Sequence, residues 1–257
     1  MEFFVSQKSI VRKIWGKGDT ILFIFAGASA EFALNKAVDW LYFTGRLPAD
    51  PLGRLFSTVM YARRIVFSPA ARAMEAIDQI TSIHTAIEKS RGAKIPDWAY
   101  RDVLFMLIHY SISAFEVLER KLDEPEKEEV YDVFKRMGDR MHLVGLPRDF
   151  HEWTIMREAH LQNDLEKSHY TIDLYHQYRK HLGPFRYFIL KESQKLVVPG
   201  HVRRLLDFSR FSWVSFLIYI YKVSRRVGLD NFIRSLVMPR EYKEQIRDLD
   251  VIHAGHS

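Results

Sequence analysis

Seven consecutive residues, Val103-Leu104-Phe105-Met106-Leu107-Ile108-His109, are apolar until the last, inside a run of helix formers that continues through Ser113, Glu116 and Glu119. Alternation with period two is absent, so the run does not read as a half-buried strand. A helix that is apolar on every side has no face to give to water and must be enclosed by neighbours. The chain must therefore build a multi-helix layer around this segment.

The flanking sequence supplies the helices. Ser68-Pro69 places a capping residue before a proline and predicts a helix over 70–90. There Ala73, Ile77, Ile80, His84 and Ile87 fall on one stripe, and Gly92 is a natural left-handed cap. Pro96 restarts a helix that runs to about residue 121, and Pro125 followed by Glu126, Glu128 and Glu129 starts one that ends near 140. Asp149 is placed to cap a long polar helix over 150–181, broken by Gly183-Pro184. Shorter helices are expected over 185–195, 201–208, 211–226 and 230–237, before a frayed tail. Gly45, Pro48 and Pro51 predict an ordered loop over 44–52. There is no internal repeat and no low-complexity linker. The expected fold is all-α, one multi-helix globular domain over 1–257, with the helices of 211–250 packed on the remainder.

A length of 257 residues with 47% apolar and 14% aromatic content supports one sizeable core. No cysteine is present, which excludes disulfides, thiolate chemistry, iron–sulfur clusters and cysteine-ligated zinc, and fits a reducing, cytoplasmic setting. The net charge of +6 is spread through pairs such as Arg63-Arg64, Arg203-Arg204 and Arg225-Arg226 without a basic run, so nucleic-acid binding is not expected. The N-terminus lacks signal-peptide order. Two apolar stretches, 21–30 and 211–221, are too short to cross a bilayer as helices. The second precedes Lys222, Arg225 and Arg226, which leaves a peripheral membrane contact open, with a buried core helix as the plainer reading.

Eleven histidines carry most of the chemical information. His151, His160, His169, His176 and His181 share a charge-dense segment and are expected to be solvated or helix-capping. His84 and His109 differ, because apolar residues flank both on faces expected to be buried. An imidazole buried there needs partners for its nitrogens, or a metal. A hydrogen-bonded core histidine is the plainer reading of either one alone. In a simple hairpin of the two helices the histidines are offset by roughly 10 Å along the axis, too far to share one small ion. A planar cofactor ligated by one histidine tolerates that offset. Phe105, Met106, Ile112 and Ser113 are helical neighbours of His109 and are candidates to pack a porphyrin and exclude water. Glu166-Lys167-Ser168-His169 is a single copy of the Glu-x-x-His unit that di-iron bundles use twice, so a di-iron site is incomplete. No phosphate loop, His-Glu-x-x-His or nucleophile elbow is present. Gly27-Ala28-Ser29-Ala30 is explained by close helix packing.

An ordered set of segments resembles the MpaB/rubber-oxygenase (latex-clearing protein) catalytic domain over about residues 11–210. The set runs through Trp15-Gly16, Gly18-Asp19, Ala26-Gly27-Ala28, Asp50-Pro51-Leu52-Gly53-Arg54-Leu55, Thr58, Arg64-Ile65-Val66-Phe67 and Ile83-His84. It continues with Leu107-Ile108-His109-Tyr110-Ser111-Ile112, Val144-Gly145-Leu146-Pro147 and Val198-Pro199-Gly200-His201-Val202-Arg203. The resemblance implies a helical protein with a haem pocket between helices, carrying b-type haem and using dioxygen on an apolar, unsaturated, isoprenoid-type substrate. It puts His109 at the proximal ligand position, with His84 near the pocket. Arg54, Thr58 and Arg64 are the nearest polar candidates for the distal group. Leu107 replaces the family's usual tryptophan, and Tyr110-Ser111 replaces an Ala-Thr pair. Non-catalytic haem or lipid binding, and an unliganded helical protein acting through partners, are the alternatives.

Overall fold

The computed structural model describes residues 2–45 and 49–213. Among them are ten helices: α1 (Ile10–Trp15), α2 (Gly18–Phe32), α3 (Asp39–Phe43), α4 (Pro51–Phe67), α5 (Ala70–Arg91), α6 (Asp97–Leu118), α7 (Glu124–Arg140), α8 (Phe150–Asn163), α9 (His169–Val197) and α10 (Gly200–Leu205). No strand forms among the described residues, and the only ladder fragments are the isolated bridges Phe3–Pro69 and Asn35–Leu165. The all-α expectation is met. The helices expected over 211–226 and 230–237 lie almost wholly outside the described residues.

The apolar segment is at the centre, as its pattern requires. Helix α6 packs against α2, α7, α8, α9 and α1, and Leu104, Phe105, Met106, Leu107, Ile108 and Tyr110 are all buried. Full burial of a side chain such as Ile108 contributes about 1.5–3 kcal/mol, so this one helix anchors the main core. Val103 and His109 are the partial exceptions, with Val103 exposed and His109 half-buried. A smaller cluster of Ala33, Val38, Leu174 and Tyr178 joins the end of α2 to α9.

Local chemistry sets most boundaries. Gly92 ends α5 at φ +69°, the left-handed cap its position predicts. Asp123 and Glu126 form a reciprocal capping box at the start of α7, and Asp149 accepts from the Glu152 amide at the start of α8. Asp50 accepts from the Gly53 amide, so α4 begins at Pro51, inside the segment expected to be loop. Ser68 closes α4 instead of capping α5, because residues 2–3 pair with the chain there and the Glu2 carbonyl accepts from the Ala70 amide. Helix α6 stops at Leu118, before the expected residue 121, where Glu119 leaves helical geometry.

The long polar helix expected over 150–181 is two helices. Between them the Asp164 carbonyl accepts from the Lys36 amide and the Glu166 amide donates to the Leu34 carbonyl. The backbone groups a continuous helix would use are taken by the strand-like segment after α2. Gly183, at φ +72°, interrupts α9 as expected, but the two halves abut with no loop between them. No helix among the described residues is long and apolar enough to cross a membrane.

Candidate functional site

Helix α6 turns the polar residues Asp102 and Tyr110 inward, and His109, next to Tyr110, is half-buried. Tyr110 is fully buried, and its ring packs so closely on α2 that a Cβ on Gly27 would come within 2.1 Å of Tyr110 Cδ1. The small-residue patch of α2 is thus the seat of an aromatic ring, which is the close packing expected of it.

Behind that ring is Glu31, itself without solvent exposure. Its carboxylate meets four donors. Arg157 Nη1 donates to Oε1 and Nη2 to Oε2, each at 2.5 Å. The Tyr110 hydroxyl donates to Oε2 at 2.8 Å, and His160 Nε2 lies 3.1 Å from Oε1. Burial alone would raise the Glu31 carboxyl, but the Arg157 fork, with His160 beside it, holds it well below the ordinary carboxylate range. Burial and the facing Glu31 carboxylate push the Tyr110 phenol far up, so it remains a neutral donor.

His160 continues the network. Its Nδ1 lies 2.6 Å from Asp102 Oδ1 and 3.3 Å from Asp164 Oδ2. The Asn35 side-chain amide donates to the other oxygen of Asp102 at 3.0 Å. Burial disfavours the imidazolium, yet the hydrogen bonds to Asp102 and Glu31 raise His160 to about 9. Burial leaves Asp102 above its ordinary value even with His160 alongside. Asp102, His160 and Asp164 each present one ligand atom within 4.8 Å of the others, the one such grouping among the described residues.

The expectation that His160 is solvated like its neighbours is corrected here: it is only 3% exposed. His151, His169, His176 and His181 are exposed, as expected. The difference is register. Trp153, Arg157, His160 and Leu161 recur at spacings of four, three and one, a single helical stripe, and all four are buried. That stripe was the available signal for Arg157 and His160. Nothing comparable marked Glu31, Asp102 or Asn35. Glu166 and His169 are exposed, so the lone Glu-x-x-His unit does not face the interior.

The ring of His109 meets that of Tyr110 edge to face, with centroids 5.0 Å apart. Although its surface is only half-covered, it is densely surrounded. Burial, then the nearby Arg157 cation, lowers it to about 3, against the opposing pull of Glu31 and a hydrogen bond to the Val197 carbonyl at the end of α9. Burial thus favours the neutral imidazole at His109, with the Val197 carbonyl as its acceptor. That is the state in which histidine binds a metal. The Ser113 hydroxyl, one turn on, donates to the same carbonyl at 3.0 Å.

The other expected site residues are distributed. Phe105 is buried edge-on to Trp153, with ring centroids 6.3 Å apart, and Ile112 is half-buried against the main core. His84 is half-buried on α5, edge-on to Tyr100 at 5.2 Å. Tyr100 is nine residues before His109 on α6, so the two histidines are separated by roughly 13 Å along that helix. Thr58 is half-buried on α4, Arg64 is exposed on the same helix, and the side chain of Arg54 lies outside the described residues. Helix α4 does contact α9, the helix whose end faces His109.

A family model described as "ER-bound oxygenase mpaB/B'/Rubber oxygenase, catalytic domain" matches residues 13–226, a span holding every residue of both clusters. No curated protein matches the chain.

Proposed function

The chain belongs to the mpaB/rubber oxygenase catalytic-domain family, and from that premise we propose that it is a haem-dependent oxygenase-like protein in which His109 ligates the iron of a b-type haem. The observation that carries this reading is the position of His109 beside the Val197 carbonyl at the end of α9, where burial favours the neutral imidazole. A histidine that donates one ring N–H to a backbone carbonyl is oriented as metal-ligating imidazoles commonly are.

Bound at His109, haem would supply the redox chemistry that turns dioxygen on an apolar, unsaturated substrate. The chain's own residues hold and tune. Val197 sets the ring direction and Ser113 shares its carbonyl. Met106, Leu107 and Ile108 keep water from the buried side of the helix, and burial, with Arg157 second, favours the unprotonated imidazole. Thr58 and Arg54, one turn apart on α4, are the polar candidates for the opposite side of the cofactor. Arg64 at the surface suits a propionate, and His84 is a more remote candidate.

The second reading, binding without turnover, is favoured by one observation: His84, the other candidate histidine, pairs with Tyr100 well away from His109.

The test is the absorption spectrum of the full chain expressed with haem supplementation. A Soret band is expected, lost or shifted in His109→Ala while far-UV circular dichroism stays the same. A colourless wild-type protein with full helicity, or a band indifferent to His109→Ala, overturns the proposal. Oxygen consumption with unsaturated isoprenoid substrates separates turnover from binding alone.

A further inference from the structure

We propose that Asp102, His160 and Asp164 form a site for one divalent cation of the zinc type, distinct from the haem position and independent of whether haem binds.

Three observations converge. The first is spacing. Ligands on a tetrahedral ion with bonds of about 2.0–2.1 Å are separated by roughly 3.3 Å. His160 Nδ1 and Asp164 Oδ2 are already 3.3 Å apart, and Asp102 Oδ1, at 2.6 Å from Nδ1, needs to withdraw by less than one ångström. Asp164 is 26% exposed while the other two are buried, so the cluster has one open side for entry of the ion and for a bound water.

The second is orientation. The remaining ring nitrogen of His160 faces Glu31 at 3.1 Å, and Glu31 is itself clamped by Arg157 and Tyr110. A carboxylate holding the far N–H of a histidine fixes the tautomer whose other nitrogen can ligate. Asn35 performs the same service for Asp102 by engaging its second oxygen.

The third is charge. Three carboxylates, Glu31, Asp102 and Asp164, converge on His160, with Arg157 as the one permanent cation among them. A doubly charged ion placed between Asp102 and Asp164 offsets the two carboxylates it would touch. Imidazole with carboxylates suits zinc, and manganese next, over calcium.

The test is titration of EDTA-treated, haem-free full chain with zinc chloride, followed by calorimetry. One ion per chain is expected, and Asp164→Asn should weaken binding at least about tenfold. Asp164 is half-exposed, so that variant should keep its helicity, and Glu166→Gln, two residues on, should bind like wild type. Absence of binding, or binding indifferent to Asp164→Asn, overturns the proposal.

Discussion

The ring of Tyr110 occupies the space that a side chain at position 27 would fill: a Cβ on Gly27 would lie 2.1 Å from Cδ1 and 2.3 Å from Cε1 of Tyr110. The contact is with a ring fixed on both sides, since the Tyr110 hydroxyl is held by Glu31. Gly27→Ala is therefore expected to destabilise by at least about 1–3 kcal/mol, the range for overpacking a filled core. Urea denaturation would measure it. The double variant Gly27→Ala/Tyr110→Ala should be more stable than the sum of the two single losses predicts. Strict additivity would show that the two residues do not share one space.

The Glu31–Arg157 pair is buried at both ends. Arg157→Met leaves the Glu31 carboxylate with only Tyr110 and His160, and loss of one partner of a buried pair costs about 3–5 kcal/mol. Glu31→Gln introduced into the same variant removes the uncompensated charge and should recover part of that loss. A double variant as unstable as Arg157→Met alone would contradict the electrostatic origin of the effect.

Residues 103–109 announced the fold because an all-round apolar helix has one physical solution, enclosure, and the caps at Gly92 and Asp149 follow from local hydrogen bonding. His109 was legible for a related reason: an imidazole in that run is conspicuous. The network around Glu31 was not. Its members come from α2, α6 and α8, and their partnership depends on helix register in three dimensions, which no single segment records. Arg157 and His160 were half legible, as polar residues on the Trp153–Leu161 stripe, but surrounding charge in the same segment masked them. The break at Asp164 was hidden for the same cause, since the groups that end α8 belong to residues 34–36.

Trp15 and Ser111 form an isolated test of a buried hydrogen bond. The indole Nε1 donates to the Ser111 hydroxyl at 3.0 Å, and neither residue is exposed. Ser111→Ala strands the indole N–H and should cost about 1–3 kcal/mol. Trp15→Phe in the Ser111→Ala background removes the stranded donor, so its additional effect should be smaller than in wild type. Equal effects in both backgrounds would mean that the hydrogen bond contributes nothing.

The two interior histidines should give stability opposite slopes on either side of neutrality. His160 is raised from 6.5 to about 9, so its contribution is complete below 6.5 and is lost as pH rises through 9. His109 is lowered from 6.5 to about 3, so its contribution is present above 6.5 and is lost as pH falls toward 3. Besides burial, the groups responsible are Glu31 from α2, Asp102 from α6 and Arg157 from α8, together with the Val197 carbonyl from α9. In metal-free, haem-free protein the urea midpoint should therefore fall in both directions away from pH 6.5. His160→Gln should flatten the alkaline limb and leave the acid one, whereas His109→Gln should flatten the acid limb and leave the alkaline one. A variant that lowers the midpoint equally at every pH would show that its histidine acts by packing alone, because only a group whose proton affinity changes on folding can alter the slope.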